Sequence, residues 1–390
     1  MKSYDVIIVG GAVHGASAAY HLAASGFGGS VLLIEKDPSF RFAATTLSAG
    51  SIRQQFSTPV NIAISLHGIR FLRDVGETLA VDGTRPDVAL REGGYLFLAT
   101  PAGAATLAAN CALQQDMGAD IAHLDPSGLA ARFPYLSLDG IVAGGFGQSG
   151  EGWFDGYSLM QALRAKARSL GAETLAGDVA GIVREGGRVT GIRLADGTPI
   201  GAGTVIVTAG TGTPALLAPL GIDVTVEARK RLVFTFSCRD PLPGFPLLID
   251  PTGVYARPEG DLYICGSAPP ADRDPPATDY EVDHGFFEET IWPVLAARVP
   301  AFERIKPGRA WAGHYDMNLF DHNAVVGPLP GLDGLLVAVG FSGHGLQQAP
   351  AVGRGLAELV TQGRYTSLDL SPLGYGRIAE GKPLHELNVV

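Results

Sequence analysis

The chain has 390 residues, a length that allows a large buried core and favours two domains. Apolar residues make up 46% of the sequence and charged residues 17%, which is typical of a globular protein and excludes a long disordered chain. Acidic residues outnumber basic ones by 39 to 29, and no long run of Lys and Arg supplies a contact surface for phosphates, which argues against a nucleic-acid-binding protein.

The first predicted elements are a strand, a glycine-rich turn, a helix and a second strand. An apolar run at residues 6–9 leads into a turn at 10–15, a small-residue stretch at 16–25 is helical, and an apolar run at 31–34 ends on Glu35. Such a turn presents backbone N–H groups and the positive end of the helix dipole to a pyrophosphate. An acid at the tip of the second strand accepts hydrogen bonds from an adenosine ribose. The unit therefore predicts a site for an adenine dinucleotide.

The glycines of this turn have separate roles. Gly10 allows the tight turn, and Gly15 lets helix and strand pack closely. Ala12 replaces the middle glycine of the G-x-G-x-x-G pattern and adds a methyl group near the phosphates. A glycine turn between two ordinary core elements is the alternative. The cofactor contacts expected in this unit are Gly10, Gly11, Ala12, Val13, His14, Gly15, Glu35 and Lys36.

The middle of the chain alternates predicted helices and strands. Pro101 is expected at the first position of a helix that Thr100 caps. Gly186 and Gly187 join two apolar runs and predict a hairpin, unlike the regular βα alternation of nicotinamide dehydrogenases. The predicted helices lie at residues 59–75, 101–117, 155–170 and about 279–298. The predicted strands lie at residues 95–99, 179–183, 188–194, 205–207, 231–236, 247–249, 253–256 and 262–265.

The end of the chain repeats the opening arrangement. A strand at residues 335–339 is followed by a turn at 340–345 and a closing helix through residue 360. The start of that helix offers a second dipole, able to stabilise an anion or an electron-rich ring.

The sequence also predicts the compartment. No run of about 18 apolar residues is present, so no membrane span is expected. The three cysteines show no paired spacing, and the histidines and cysteines show no metal-ligand spacing, which predicts reduced thiols and no metal site. The short apolar run near the start lacks the length and cleavage site of a signal peptide. We expect a cytoplasmic protein.

Four blocks of the sequence resemble the flavin-dependent amine oxidoreductases of the D-amino-acid-oxidase/sarcosine-oxidase type, over nearly the whole chain. They are the opening βαβ unit, the small-residue loop ending at Ser51-Ile52-Arg53, residues 205–210, and the turn at 340–345. The last block is specific, because the family places this turn against the flavin ring. Further blocks, at residues 281–284, 292–293, 311–316 and 345–350, resemble a mitochondrial branch associated with assembly of respiratory complex I. The chain is similar to a bacterial counterpart of that branch without a transit peptide.

The resemblance implies an α/β fold in which a Rossmann-like FAD-binding domain is interrupted by a substrate-binding domain with a mixed or antiparallel sheet. The FAD-binding domain is expected to comprise residues 1–84, 151–225 and 306–390, and the substrate-binding domain residues 85–150 and 226–305.

The resemblance also implies that the FAD is not covalently bound. His314 and Tyr315 stand where sarcosine oxidases carry the cysteine that bonds to the flavin, and Leu47 stands where dimethylglycine-type enzymes carry the linking histidine. The remaining cofactor contacts that the family pattern implies are Thr45, Thr46, Ser48, Ala49, Ser51, Val179, Ala209, Gly210, Gly313, His314, Gly340, Ser342, Gly343, His344, Gly345, Leu346 and Gln347.

Five residues are expected to serve the substrate. Arg53 matches the arginine that clamps the substrate carboxylate in sarcosine-oxidase-like members, the alternative being a surface or ion-paired arginine. Tyr255 and Arg257 match pocket positions, the alternative being ordinary solvated strand residues. His344 would tune the flavin ring or order the turn, or be a structural histidine. Gln347 replaces a lysine that helps hold the carboxylate, which argues against sarcosine itself.

The implied reaction is oxidation of the C–N bond of a small amino or N-alkylamino acid by hydride transfer to flavin N5. A flavin-bearing assembly or interaction protein and a 2-hydroxy-acid dehydrogenase on the same fold remain alternatives. Tyr263 matches the position of the oxygen-activating lysine of the oxidases, and a protonated His344 would be the substitute for that charge. We therefore expect a dehydrogenase that passes electrons to a quinone or an electron-transfer partner.

Overall fold

Two eight-stranded β-sheets organise the chain in the computed structural model, which describes residues 2–387. Residue 1 and residues 388–390, the outer ends of the predicted FAD-binding segments, lie outside the described residues. In chain order the strands are β1 Ser3–Val9, β2 Val31–Glu35, β3 Ser51–Ile52, β4 Tyr95–Ala99, β5 Ile121–Leu124, β6 Ala143–Gly147, β7 Gly152–Trp153, β8 Glu173–Ala176, β9 Val179–Glu185, β10 Arg188–Leu194, β11 Pro199–Val207, β12 Val226–Cys238, β13 Leu247–Ile249, β14 Tyr255–Glu259, β15 Leu262–Ser267, β16 Ile305–Asn318, β17 Val325–Pro328 and β18 Leu335–Val339. The helices are α1 Val13–Ala24, α2 Ala44–Leu47, α3 Pro59–Arg73, α4 Val75–Thr78, α5 Ala104–Asp116, α6 Pro126–Arg132, α7 Gly156–Ser169, α8 Thr213–Leu217, α9 His284–Phe286, α10 Trp292–Arg298, α11 Gly345–Gln362 and α12 Gly376–Ala379.

The first sheet is built around parallel strands. Its order is β17-β18-β11-β1-β2-β8, and the hairpin β9-β10 extends it from β11. Strands β8, β2, β1, β11 and β18 run parallel to their neighbours, and Ile7 of β1 lies opposite Leu32 of β2. The inner strands are almost entirely apolar because both faces of a central parallel strand are covered. The predicted βαβ unit and the hairpin at Gly186 and Gly187 are confirmed.

Helices from both ends of the chain cover one face of this sheet. Buried apolar residues of α1, α7 and α11 form one core with Val6 and Ile8 of β1. Helices α1 and α11 approach closely at Ser17 and Gly353. Helix α11 therefore lies beside the opening βαβ unit, as the resemblance described above implies.

Helix α11 is 18 residues long and carries Arg354 and Glu358, whose charged groups lie 3.1 Å apart. Between residues 2 and 387, no helix is both long enough and apolar enough to cross a membrane.

The second sheet is mixed, as predicted for the substrate-binding part. Its order is β16-β12-β15-β14-β13-β4-β6-β5, with β13 parallel to β4 and the other neighbours antiparallel. Phe234 and Phe236 of β12 pack with Leu248, Ile291 and Phe302 in the core beneath it.

The predicted domain boundary at residue 306 lies at the start of strand β16. Strand β16 pairs along its length with β12, from Val226 opposite Asn318 to Cys238 opposite Ile305. A strand with a full-length partner belongs to the sheet of that partner, so residues 306–318 lie in the second sheet. The division into FAD-binding and substrate-binding domains itself stays a prediction.

Two helices begin later than predicted, for local reasons. Helix α5 begins at Ala104, because the N–H of Gly103 donates to the carbonyl of Thr100 at 3.0 Å and closes a turn first. Helix α9 begins at His284, where the carboxylate of Asp283 caps it by accepting a backbone N–H.

Replacing Gly353 with Ala will destabilise the fold, because the new Cβ would lie 2.2 Å from Oγ of Ser17. Overpacking of this kind costs about 1–3 kcal/mol, so the melting temperature followed by circular dichroism should fall. Gly376→Ala is the matched control, since nothing lies within 4 Å of its Cβ position in α12. Equal stability of the two variants would contradict this account of the α1–α11 contact.

Candidate active site

A cavity of about 510 Å³ lies at the carboxyl ends of the parallel strands of the first sheet. Val9 at the end of β1, Glu35 at the end of β2 and Thr208 after β11 contribute to its wall. Its wall also includes Gly343, in the turn after β18, and Tyr315 of β16. Ligands of open α/β sheets bind at this edge, so the cavity lies where the sequence predicts a dinucleotide.

The turn between β1 and α1 depends on two glycines of the motif. Gly10 has a φ of +99°, which residues with a side chain rarely adopt. A Cβ on Gly15 would lie 1.9 Å from the carbonyl oxygen of Gly10, so α1 packs directly on the turn. Both predicted glycine roles are confirmed. Ala12, Val13 and His14 line the cavity at the start of α1, where the positive end of the helix dipole lies.

Glu35 is oriented by two backbone N–H groups. Its Oε2 atom accepts from Gly11 at 2.8 Å and its Oε1 atom accepts from Asp37 at 2.9 Å. The guanidinium of Arg164 donates to the carbonyl of Gly11 at 3.1 Å and stabilises the same turn. The carboxylate is thus fixed at the cavity wall, in the position of the acid that binds a ribose.

The residues around this cavity fit FAD. A glycine turn, a helix start and an oriented carboxylate are the groups that hold a pyrophosphate and a ribose. His14 stacks on Phe341 with ring centroids 3.8 Å apart, and burial lowers the pKa of His14 to about 3.

The structure brings most of the predicted cofactor contacts together. Those that line the large cavity are Gly10, Ala12, Val13, His14, Glu35, Lys36, Thr45, Ser48, Val179, Ala209, Gly210, His314, Gly343, Gly345 and Leu346. Those that line a second, smaller cavity are Ala49, Ser51, Ser342, His344 and Gln347, with Ser48, Gly343 and Leu346 shared by both. Gly11, Gly15, Thr46, Gly313 and Gly340 lie outside both walls.

Several wall residues of the large cavity were missed by the sequence reasoning. They include Phe42, Thr211, Gly212, Tyr280 and Asp316, all outside the short motifs that predict the cofactor site. Burial raises the pKa of Asp316 to about 6, although the N–H of Gly340 donates to its carboxylate at 2.7 Å. The signal for Asp316 was present, since it lies in a block that resembles the family.

The smaller cavity, about 50 Å³, adjoins the large one and is lined by predicted substrate residues. Arg53, Tyr255 and Gln347 contribute to its wall, together with Tyr95 and Tyr315. Tyr315 lines both cavities. A ligand in the small cavity therefore lies next to the part of the large cavity near Gly343.

Arg53 is buried, with 3% of its surface exposed, at the end of β3. Its guanidinium donates to the carbonyl of Gln55 and lies 4.1 Å from the ring centroid of Phe56. Its backbone N–H donates to Oε1 of Gln347 at 2.7 Å. The amide that replaces the lysine of the oxidases thus holds the arginine in place.

A buried carboxylate, that of Glu151, lies close to Arg53 and was not predicted. It accepts the backbone N–H groups of Gln54 and Gln55 and the side-chain amide of Gln55. Burial raises the pKa of Glu151 to about 7, although these hydrogen bonds and the charge of Arg53 oppose the rise. Glu151 therefore fixes the backbone that follows Arg53.

Three tyrosines supply neutral hydroxyl groups to the small cavity. Burial raises the pKa of Tyr95, Tyr255 and Tyr315, with that of Tyr255 well above its ordinary value. All three are protonated near neutral pH and provide hydrogen-bond donors without charge.

His344 is neutral, so the substitute positive charge that a protonated His344 would supply is absent. Burial and the charge of Arg53 lower its pKa well below the ordinary value. Its ring packs edge-on against Phe56, with centroids 5.3 Å apart. It lines the small cavity at the start of α11.

Arg257 is engaged elsewhere and lines neither cavity. Its guanidinium donates to the carbonyl of Ala49, to the carbonyl of Pro258 and to the carboxylate of Glu259. It therefore holds the loop that carries Ser48 and Ser51, and its role in substrate binding stays a prediction.

The prediction for Tyr263 is wrong. In the β14–β15 pair, Tyr255 lies opposite Gly266, whereas Tyr263 lies opposite Pro258, so Tyr263 faces the other side of the sheet. It stacks on Phe236 in the core beneath the second sheet, with ring centroids 5.2 Å apart. It lines neither cavity, so its position does not match that of the oxygen-activating lysine for which it was predicted to stand.

The comparisons with known proteins agree with this geometry. Residues 5–359 match the family model of the FAD dependent oxidoreductases. The chain belongs to this family. FAD-dependent oxidoreductase domain-containing protein 1 of Xenopus laevis is 40% identical over 99% of this chain and 85% of that protein. The oxidoreductase therefore uses FAD as its cofactor.

Two further matches are more distant. The 4-methylaminobutanoate oxidase (formaldehyde-forming) of Paenarthrobacter nicotinovorans is 28% identical over 92% of this chain and 43% of that protein. The crystal structure of L-proline dehydrogenase from P. horikoshii superposes with a TM-score of 0.86 at 25% identity, covering 98% of this chain and 99% of that one. The predicted fold class is confirmed.

Tyr280→Ala will weaken the retention of FAD. Tyr280 stacks on His314 with ring centroids 4.0 Å apart and contacts Phe42 in a tilted arrangement at 4.6 Å, and all three residues line the cofactor cavity. Loss of aromatic contacts of this kind, worth about 0.5–1.5 kcal/mol, should speed FAD release about 3- to 10-fold, measured by flavin fluorescence after dilution. Leu175→Ala, at a similarly exposed apolar residue of β8 outside the cavity, is the control. Equal release rates would show that the stack does not hold the cofactor.

Proposed function

We propose that this oxidoreductase oxidises a small amino or N-alkylamino acid at the carbon next to its nitrogen. The observation that carries the proposal is the buried guanidinium of Arg53 in the wall of a small cavity that adjoins the cofactor cavity. Arginine binds a carboxylate through two parallel hydrogen bonds, and burial strengthens the attraction because the local dielectric is low. Arg53 is therefore proposed to hold the substrate carboxylate.

The size of the small cavity supports a small substrate. Its volume of about 50 Å³ is bounded by Tyr95, Leu247 and Tyr255 of the second sheet and by Tyr315 on the cofactor side. The three tyrosines provide hydroxyl groups that orient the substrate without adding charge. The enclosing side chains exclude water from the reacting carbon.

The protonation states favour an amine over a 2-hydroxy acid. When bound, FAD would serve as the oxidant by accepting a hydride, which carries the two electrons of the reaction. Removal of a hydroxyl proton requires a base, whereas a neutral amine is oxidised without one. Among the described residues that line the small cavity there is no Lys, Asp or Glu, and the lowered pKa of His344 makes it a weak base.

The names of two relatives support the same substrate class. Methylaminobutanoate and proline both carry a carboxylate and a secondary amine, and the proteins named for them are similar to this chain over more than nine tenths of its length. The chain differs from sarcosine oxidases in having Gln347 in place of a lysine, which argues against sarcosine as the substrate.

Anaerobic mixing of the holoenzyme with panels of amino acids, N-methylamino acids and 2-hydroxy acids tests the proposal. Bleaching of the flavin absorbance by an amine supports it. Bleaching by a 2-hydroxy acid alone would favour the alternative reaction, the oxidation of 2-hydroxy acids. If neither panel reduces the flavin, a role as a flavin-bearing assembly or interaction protein is favoured.

Arg53→Met will raise the KM for the amine substrate by roughly 100- to 1,000-fold. The variant removes a buried charge-assisted interaction with the carboxylate, worth about 3–4 kcal/mol. Steady-state kinetics on the holoenzyme measure the change. Arg70→Met, at an exposed position of α3, is the control and should leave KM unchanged. A KM within 3-fold of the original value in Arg53→Met would contradict the proposed carboxylate clamp.

We further propose that the FAD is not covalently bound and that the protein works in the cytoplasm. None of the three cysteines of the chain lines either cavity, which supports the first point. Acid precipitation tests it, because non-covalent FAD stays in the supernatant.

The electron acceptor is proposed to be a quinone or an electron-transfer partner rather than oxygen. Positive charge beside the flavin stabilises superoxide during reoxidation. Gln347 and His344 are neutral at the small cavity, and the positive charge of Arg53 is compensated by the buried carboxylate of Glu386. We expect the reduced holoenzyme to react faster with a quinone or a dye than with oxygen.

Gln347→Lys should speed reoxidation of the reduced flavin by oxygen about 10-fold or more, the equivalent of about 1.4 kcal/mol or more in the barrier. Stopped-flow absorbance after mixing with aerated buffer measures the rate. Gln347→Met is the matched control, because it loses the same hydrogen bond to Arg53 without adding a charge. If both variants reoxidise at the same rate, the missing charge does not set the acceptor.

A further inference from the structure

The segment after α12 is fixed against the site by a buried ion pair. Asp321 accepts hydrogen bonds from the guanidinium of Arg377 at 2.7 and 3.0 Å, and its Oδ2 atom accepts the N–H of Leu384 at 3.0 Å. The backbone N–H of Glu386 donates to the carbonyl of Asp321 at 3.2 Å. Residues 384–387 therefore have a defined position next to the start of α3.

Glu386 accepts at least four hydrogen bonds at that position. Its Oε1 atom accepts the N–H and the hydroxyl of Ser57 at 2.7 and 2.6 Å, and its Oε2 atom accepts the hydroxyl of Thr58 at 2.9 Å and the amide of Asn61 at 3.0 Å. Only 3% of its surface is exposed. The carboxylate lies at the start of α3, where the helix dipole favours a negative charge.

Glu386 is ionised at this position, and its negative charge interacts electrostatically with the guanidinium of Arg53. Burial alone would raise the pKa of Glu386, but the hydrogen bonds from Ser57 and Asn61 and the charge of Arg53 together lower it. The same carboxylate also acts on His344, whose pKa it raises against the larger effect of burial.

The backbone of residues 54–57 is thus held by hydrogen bonds to two buried carboxylates. Glu151 accepts the N–H groups of Gln54 and Gln55, and Glu386 accepts the N–H of Ser57. Arg53 precedes this segment directly, so the position of its guanidinium depends on both anchors.

We propose that Glu386 is a positioning residue of the substrate site: its hydrogen bonds to the start of α3 hold Arg53 where the guanidinium meets the substrate carboxylate. This inference rests on the proposed role of Arg53. It assigns a function to a residue far along the chain from the cofactor and substrate motifs. The effect is geometric, so a side chain of the same shape that still accepts from Ser57 keeps most of it.

The test measures binding of propanoate and of its neutral amide to the holoenzyme, by the change in flavin absorbance. In Glu386→Ala, the Kd for propanoate should rise at least 10-fold, while binding of propanamide stays within 3-fold. In Glu386→Gln, the Kd for propanoate should stay within 3-fold of the original. Ser57→Ala, which removes one of the hydrogen bonds to Glu386, should give a smaller loss in the same direction. Glu380→Ala is the control, because that carboxylate is exposed and pairs only with Lys382.

The outcomes separate this inference from the proposed function. If propanoate binds the original protein and Arg53→Met abolishes binding, the role of Arg53 stands. An unchanged Kd in Glu386→Ala then overturns the inference, as does equal weakening of propanoate and propanamide. Should Glu386→Ala not fold, an unchanged Kd in Ser57→Ala has the same meaning. Faster hydrogen exchange of the amides of residues 53–58 in Glu386→Ala is the expected independent sign of lost positioning.

Discussion

A positive charge has to be kept at Arg53 in a place that water hardly reaches, and much of the structure around the site follows from that requirement. A buried ion is unstable unless hydrogen bonds and opposite charges compensate for its lost hydration. Phe56 covers the guanidinium, the carbonyl of Gln55 accepts from it, and the carboxylates of Glu151 and Glu386 act on it electrostatically. Glu151 and Glu386 also accept backbone N–H groups of the residues that follow Arg53. The groups that compensate the charge of Arg53 therefore also hold the backbone next to it in place.

The sequence predicted those parts of the site that depend on local structure. The roles of Gly10 and Gly15 follow from the tight turn and from close packing, and both are visible in a few consecutive residues. Arg53 and Gln347 came from a resemblance rather than from any local pattern, yet both line the small cavity. The inner strands of the first sheet were predictable for the same reason as the turn, since they are continuous apolar runs, whereas the exposed edge strand β8 was not predicted.

The rest depended on contacts between distant parts of the chain. Tyr263 was misplaced because side chains alternate between the faces of a strand, and the pairing of β14 with β15 puts Tyr263 on the face opposite to Tyr255. Glu151 lies almost 100 positions from the backbone groups it binds, and nothing in its neighbourhood marks it as a site residue. The pairing of β16 with β12, across a long connection that begins near the predicted boundary at residue 306, had no local signal in the sequence.

Strand β16 also determines how the molecule can move. One end of it packs in the core beneath the second sheet through Ile305 and Ala310, while His314, Tyr315 and Asp316 at the other end form part of the cofactor wall. A single strand, paired along its length, thus joins the two regions, and opening them about a hinge at this point would break its ladder of hydrogen bonds. The loop from Ser48 to Ser51 lies at the junction of these regions: Ser48 lines both cavities, and Arg257 of the second sheet donates to the carbonyl of Ala49.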